Sequence, residues 1–588
     1  MKPDKKDFII MAVMTAIYLV IALLNLGSLR VPETSWTPSR QGEYAIVDLG
    51  KEIITGKIYY YAGLGKGRPD EGKYRIQYKD GAGNFKPLAA IEKTGGNIFS
   101  WKYALTPDIR TRYLKVIVDA ASGTLNEMVF FEEGSSKPLE DIKIIEKNTD
   151  AADEGKAENL FDEADTVDYG HTYMSGMIFD EIYHARTAYE YVNRMKIYEW
   201  THPPLGKLFI SIGIAIFGMV PFGWRFTGTL FGAAMIPIMY LFGRKLFDKR
   251  FYGFCAAFLM MFDFMHFGLT RIATIDVYGT FFVILMYYFM YDYFVNKSYV
   301  LGFRQSLKPL LLSGICFGLG AASKWIGLYA AGGLALLFFL VKYTEYTEYK
   351  RMSEQSAKKA SWYNDFIPLY LQRTLLYCVV FFVIIPAAIY IISYVPGIIT
   401  GSYDNFSYIF DNQVNMLKYH SRDVLNSTHP FSSFWWQWPL MVRPLKTYAG
   451  TDLPAGVTST MTLLGNPAIW WIGMIAVATS FLLAVKRRDR RMVVIFAAIA
   501  FQYLPWISVA RIAFIYHFFS SVPFLILCIV YLINYMLESH LNLKPVVYTY
   551  LAVVLALFLM FYPILSGLEI SSLYVENFLL WFKGFWVF

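Results

Sequence analysis

The chain has 588 residues, 56% of them hydrophobic and only 17% charged, with a mean hydropathy of +0.37. A soluble chain of this length carries about 25% charged residues, whereas here apolar runs longer than the roughly 18 residues that cross a hydrocarbon layer recur throughout, which excludes a soluble globular enzyme. The net charge of +8 lies mostly in short clusters between those runs, where it orients spans among membrane lipids and calls for no nucleic-acid partner.

Residues 1–30 are expected to form a first transmembrane helix. The apolar run 8–29 comes after a short basic start, is too long for a signal-peptide core and has no small-residue cleavage site. Its N-terminus is then cytoplasmic and the segment after it lies outside. Residues 31–135 change character, with strand-like runs at 57–61, 74–78 and 113–118 between Gly- and Asp-rich turns. They read as an extracytoplasmic all-β domain, and "AIVDLG", "YRIQYKDGAGNF", "FSWKYAL" and "TRYLKVIV" resemble a discoidin-like, galactose-binding-type jelly roll. The charged, Ala- and Glu-rich stretch 136–170 reads as a linker.

Residues 171–588 form the polytopic α-helical part. The basic clusters at 244–250, 342–373 and 486–491 fix the cytoplasmic side. With 204–219 lying along the outer leaflet, about eleven spans satisfy every cluster. After the first they run over 225–243, 251–268, 276–295, 307–323, 325–341, 374–395, 466–485, 492–508, 512–536 and 547–566. Segment 396–466 and the C-terminal tail are then external. Cys255, Cys316, Cys378 and Cys528 all lie in apolar segments and read as buried thiols.

Ionisable and aromatic residues gather at the outer ends of these spans. Asp180 and Glu181 in "FDEIYHARTAYEYV" precede an amphipathic helix, as helix N-terminal charges favoured by the dipole or as reacting carboxylates. In "YEWTHPPLGKL", Pro203 and Pro204 set a helix entry, and His202 with Lys207 either anchor it or meet a lipid phosphate. Arg271 and Asp276 in "LTRIATIDVYGTFF" either pair structurally or face a wet cavity, since each costs ~2.5–3.5 kcal/mol at the bilayer centre. Lys324, with Trp325 next to it, interrupts an apolar stretch between glycines at the outer surface and suits an anion. His429, Trp438 and Arg443 in "HPFSSFWWQWPLMVRPLKTY" form an interfacial belt or a surface for sugars and prenyl chains. Arg511, Tyr516 and His517 in "YLPWISVARIAFIYHFF" close the set.

Together, "FDEIYHARTAYEYV", "THPPLGKL", "LTRIATIDVYGTFF", "ASKWIGLY", "HPFSSFWWQWPLMVRP" and "YLPWISVARIAFIYHFF" resemble, in family order over about residues 177–525, the protein O-mannosyltransferases of glycosyltransferase family 39, with their type-C membrane fold. Two departures suggest a bacterial-like member: no β-trefoil insertion in 396–466, and the β domain after the first span. The resemblance implies transfer of mannose from a polyprenyl- or dolichyl-phosphate donor to a Ser or Thr hydroxyl of a protein, inverting, at the outer membrane face. It assigns Asp180, with Glu181 beside it, as the catalytic acidic pair. Chemistry agrees, because an alcohol needs a base as it attacks and the leaving lipid phosphate needs cations that bind the transition state most tightly. Arg271, Lys324, Arg443 and Arg511 are the candidates, with His202, His429 and His517 beside them. No spacing specifies a metal site, and neither metal nor cofactor is expected. Alternatives are a polyprenyl-phosphate-sugar transferase with a glycan or lipid acceptor, a transporter, and a sugar-sensing receptor. Against the transporter stands the lack of paired interrupted helices, and against the receptor the number of spans.

Overall fold

The computed structural model describes residues 3–65, 71–94, 96–120, 123–132, 134–168, 172–354, 360–539 and 541–588. Helix α1 (Lys5–Leu23) is capped by Asp4, whose side chain accepts from the amides of Lys6 and Asp7 while the Asp7 side chain accepts from the Asp4 amide. Asp7 is itself buried. It accepts from Tyr240 at 2.7 Å and pairs with Arg244, both on α4 (Pro221–Phe247), so a desolvated ion pair pins the start of α1 to the end of α4.

Ten strands come next: β1 (Trp36–Thr37), β2 (Tyr44–Ile54), β3 (Lys57–Ala62), β4 (Gly72–Lys79), β5 (Phe85–Lys93), β6 (Trp101–Leu105), β7 (Arg110–Ala120), β8 (Leu125–Phe130), β9 (Lys143–Asn148) and β10 (Glu154–Gly155). They form two antiparallel five-stranded sheets, ordered β10-β1-β8-β3-β6 and β5-β4-β7-β2-β9. Strand β7 shows the period of two: Leu114, Val116 and Val118 point into the core with Trp36, Val47, Tyr74, Ile76 and Met128. Strand β3 is buried on both faces, which is why "KIYYYA" is an unbroken apolar run. Ile58 and Tyr60 face the other sheet, whereas Tyr59 and Tyr61 pack with Trp101 and Phe131 against Ala185, Ala188, Ile210 and Ile275 of the helical part.

The stretch expected as a linker is in part sheet, since β9 pairs along β2, β10 pairs with β1, and Leu160 plugs the β core. Its charge content misleads because β9 is an edge strand whose Lys and Glu side chains face water.

Among the described residues nine helices are long and apolar enough to cross a membrane: α1, α4, α9 (Phe303–Ser323), α10 (Ile326–Glu354), Tyr363–Ile399, Pro467–Arg487, Arg491–Ser508, Ile515–Ser539 and Lys544–Ser566. The chain is a polytopic helical membrane protein. Helices α5 (Arg250–Met261) and α6 (Phe264–Thr270) make a further pair bent by 59°. Helix α7 (Asp276–Val295) is 20 residues long, or ~30 Å at 1.5 Å per residue, and its tyrosines lower its hydropathy. Between the β unit and α4 lie α2 (Glu181–Val192) and α3 (Leu205–Phe217), the latter only 13 residues. A short α8 (Ser298–Leu301) joins α7 to α9. The segment before Pro467 carries a helix, Ser407–Lys418, and a hairpin of Leu445–Ala449 with Thr460–Leu463, while Val457–Thr458 pairs with Ile570–Ser571 and draws the C-terminal tail back. Lys57 of β3 pairs with Asp452 at 2.5 Å, tying this segment to the β unit. The four cysteines are free thiols, with Cys378 half-buried and not fully enclosed as expected.

Candidate active site

Asp180 ends the loop that enters α2. A carboxylate here ordinarily accepts from the first helical amides, but the Asp180 side chain makes no cap, and among the described residues it has no hydrogen bond or ion pair. Directly before it Phe179 has φ 49°, a left-handed conformation that costs a side-chain-bearing residue roughly 1–3 kcal/mol and persists only where neighbours impose it. Those neighbours are visible: the Ile178 amide donates to Glu181 Oε2 at 3.0 Å, and the Gly176 carbonyl accepts from Arg225 Nη2 at 3.0 Å. The result is a half-buried carboxylate with its oxygens uncommitted. Burial pushes its pKa up to about 7; Lys324 and Arg511 act against this, and Asp276 and Glu199 reinforce it.

Glu181 does something else. It is fully buried and gripped by Arg225, Nε and Nη2 each at 2.7 Å, and it also accepts from the Ala273 amide at 3.0 Å. Arg225 further donates to the carbonyls of Leu26 and Tyr173. With its oxygens so occupied Glu181 is not a second reacting carboxylate; it is the bracket that fixes the Asp180 loop to α4 and to the end of α1.

Lys324 sits in the break between α9 and α10. Its backbone is extended, and the turn closes because Gly327 approaches the Gly320 carbonyl carbon so nearly that a Cβ would lie 2.6 Å from it. The ammonium donates to Asp276 Oδ1 at 2.6 Å and stands 5.4 Å from the Tyr516 ring, whose edge meets Phe179 at 5.8 Å. Tyr516 thus bridges the Asp180 loop and Lys324. A cavity of about 450 Å³ opens above, lined among others by His202, Lys324, Trp325, His420, Trp506 and Arg511. Among the described residues Arg511 has no ion pair or hydrogen bond, so its guanidinium is free to take an anion. Trp325 donates to Tyr390 Oη at 3.0 Å, presenting its ring to the cavity.

Beside the cavity Glu199 organises the "THPPLGK" turn. It bonds His202 Nδ1 at 3.1 Å and pairs with Lys207, which also donates to the carbonyls of Glu199 at 2.9 Å and His202 at 3.0 Å. Lys207 is wholly buried and spent on these partners, so it does not reach a phosphate. Burial opposes ionisation of Glu199, but Lys207 and His202 hold it well below the usual carboxylate range. Burial depresses His202 despite Glu199, and drives His184 well below and His420 to about 3. The imidazoles, edge to face at 5.6 and 5.1 Å, are neutral at physiological pH. Bonded through Nδ1 to a carboxylate, neutral His202 offers Nε2 as an acceptor.

Arg271 leaves the expected set. It caps the end of α1, donating to the carbonyls of Ala22 at 3.1 Å and of Leu24 and Asn25 at 2.7 Å, and lies 1% exposed. Trp438 and His517 are buried and stacked on each other at 5.8 Å; they pack behind the cavity and do not line it. His429 and Arg443 border a second, more open cavity of about 710 Å³ that shares Arg511 with the first, and Arg443 donates to the Pro430 carbonyl at 2.8 Å. Sequence reasoning passed over Arg225, Glu199, His184 and His420. Glu199 had a signal, three residues before His202 in the same turn, whereas His420 stands in a stretch with no pattern. Among the described residues the one cluster with the geometry for a metal, Glu127, Asp162 and Glu163, lies in the β unit and does not involve Asp180.

Two family models match the chain: "Dolichyl-phosphate-mannose-protein mannosyltransferase" over residues 201–351, and "C-terminal four TMM region of protein-O-mannosyltransferase" over residues 405–584, together more than half of it. It is similar to the polyprenol-phosphate-mannose–protein mannosyltransferase of Mycobacterium tuberculosis, 26% identical over 461 residues, 67% of this chain and 84% of that one. The Corynebacterium glutamicum protein of the same description is 26% identical over 441 residues, 65% and 81%. The fold matches a solved Saccharomyces cerevisiae protein O-mannosyltransferase Pmt1–Pmt2 complex bound to its sugar donor, with a TM-score of 0.58 at 13% identity, covering 70% of this chain and 89% of that one. The chain belongs to the protein O-mannosyltransferase family.

Proposed function

We propose that this enzyme transfers mannose from a polyprenyl-phosphate donor to a Ser or Thr hydroxyl of a protein on the extracytoplasmic face, with inversion at the anomeric carbon. The named relatives act as mannosyltransferases on proteins from a polyprenol-phosphate donor. The observation that carries the mechanism is an unbonded Asp180 carboxylate, its pKa pushed up to about 7, under the same field as the cations Lys324 and Arg511. Asp180 removes the proton of the acceptor hydroxyl as its oxygen bonds to the anomeric carbon, and the bond to phosphate breaks on the opposite side. Lys324 and Arg511 stabilise the charge gathering on the departing polyprenyl phosphate. Asp276 holds Lys324 in place. His202, through Nε2, accepts from a sugar hydroxyl and does not bind the phosphate.

The apolar groove of about 390 Å³ between α10 and the helix Tyr363–Ile399, lined by Leu334, Phe338 and Phe382, suits the isoprenoid. Adding α7 and the bent α5–α6 pair to the nine apolar helices among the described residues makes eleven crossings, which, with the basic clusters 244–250, 342–373 and 486–491 read as cytoplasmic, supports a cytoplasmic N-terminus and Asp180 outside with the β unit. Two face-to-face sheets of this order support reading that unit as a discoidin-like jelly roll. Membranes supplied with labelled polyprenyl-phosphate mannose test the acceptor class: label in protein supports the reading, and label confined to glycan or lipid overturns it.

A further inference from the structure

The β unit does more than sit beside the membrane part. Its loop between β5 and β6 touches the chain immediately before Asp180: the Met177 amide donates to Ser100 Oγ at 2.9 Å and to the Phe99 carbonyl at 3.3 Å. All three residues are buried. The fit leaves no slack, because a Cβ on Gly176 would lie 2.8 Å from Ser100 Oγ and 3.1 Å from Ser100 Cβ. Phe99 takes a left-handed backbone, φ 52°, to make the approach, and its ring meets Tyr189 of α2 at 5.1 Å. Consecutive residues of the loop are therefore held by different parts of the molecule: Gly176 by Arg225, Met177 by the β unit, Ile178 by Glu181.

We propose that Ser100 and Phe99 of the β unit are positioning residues for Asp180, so that the β unit is a working part of the transferase site. This rests on Asp180 as the base. Glu181 and Arg225 restrain the loop from the membrane side only; Met177 is the point at which the β unit restrains it. Since a ~1 Å misplacement of a reacting group costs on the order of 10²-fold in rate, a side chain that supplies the shorter of the two hydrogen bonds from the Met177 amide to the β unit has leverage on kcat without touching donor or acceptor.

The test uses the full-length enzyme in lipid nanodiscs with polyprenyl-phosphate mannose and a Ser/Thr peptide. Ser100→Ala is expected to lower kcat roughly 5- to 50-fold with donor KM and melting temperature unchanged. It should also move the acid limb of the pH–rate profile, because Asp180 shifts relative to Lys324, Arg511, Asp276, Glu199 and the phenols of Tyr183, Tyr419 and Tyr516. Gly176→Ala is expected to lower kcat similarly, and Ser100→Gly in that background to restore part of it by making room. Wild-type kcat and an unmoved acid limb in Ser100→Ala overturn the proposal, as does a loss accounted for entirely by lower melting temperature in both single variants. Asp180→Asn run alongside separates the readings: an active Asp180→Asn refutes the base assignment, whereas an inactive one beside a normal Ser100→Ala refutes only the positioning.

Discussion

Lys324 and Asp276 are joined by a 2.6 Å hydrogen-bonded ion pair across the turn from α9 to α10 and the first residue of α7, with side chains 11% and 5% exposed. The pair holds a cation at the cavity wall. Lys324→Met leaves Asp276 buried and unpaired, which costs ~3–5 kcal/mol. It also removes one of two cations from the leaving phosphate. The expected outcome is a lower melting temperature together with a fall in kcat of about 10²-fold or more; a variant that melts early but turns over normally excludes Lys324 from the phosphate.

Glu181 and Asp180 are adjacent and separable. Glu181→Gln weakens the buried clamp with Arg225, so stability falls by ~3–5 kcal/mol, read as a lower denaturation temperature in detergent. The acid limb of whatever activity remains should keep its midpoint, since the base is untouched.

Asp180 makes activity and stability depend on pH in opposite directions. With its folded pKa raised to about 7 from 3.8, the native chain holds this proton more tightly than the unfolded one, so stability is lost as pH rises between those values. Asp180→Asn should therefore melt higher than wild type at pH 8, by on the order of 2–4 kcal/mol, and equally at pH 4. Wild-type kcat/KM should fall about tenfold per unit below pH 7.

Arg511 and Arg443 should differ. Arg511 faces both cavities unpaired among the described residues, and Arg511→Met is expected to cost about 10²-fold in kcat. Arg443 holds the Pro430 carbonyl, and Arg443→Met should loosen the 428–443 loop and raise KM with a smaller effect on kcat. Steady-state kinetics on both variants checks the contrast.

The spans and the β unit were legible because they rest on periodicity and charge placement: the α9 to α10 break at Lys324 and the alternation of β7 are local properties. Asp180, Lys324 and Arg511 were read as one set, and the structure puts Lys324 and Arg511 on the wall of one cavity with Asp180 within their field. What failed was the division of labour among charged residues. Arg271 and Arg511 look alike in sequence, each at a span boundary, yet Arg271 turns its Nε and Nη2 onto the open carbonyls at the end of α1, whereas Arg511 has no hydrogen bond or ion pair among the described residues. Lys207 and Glu181 lie beside reactive residues but are saturated by Glu199 and Arg225, partners that no short motif identifies. Strands β9 and β10 were hidden because an edge strand facing water has the composition of a linker.

The most direct measurement is single-turnover transfer of labelled mannose from polyprenyl phosphate to a Ser/Thr peptide by purified Asp180→Asn in nanodiscs, with donor affinity measured in parallel. The expected result is a rate at least 10²- to 10⁴-fold below wild type with donor affinity nearly unchanged, because the amide cannot take the hydroxyl proton while the phosphate cations remain. Transfer at the wild-type rate contradicts Asp180 as the base.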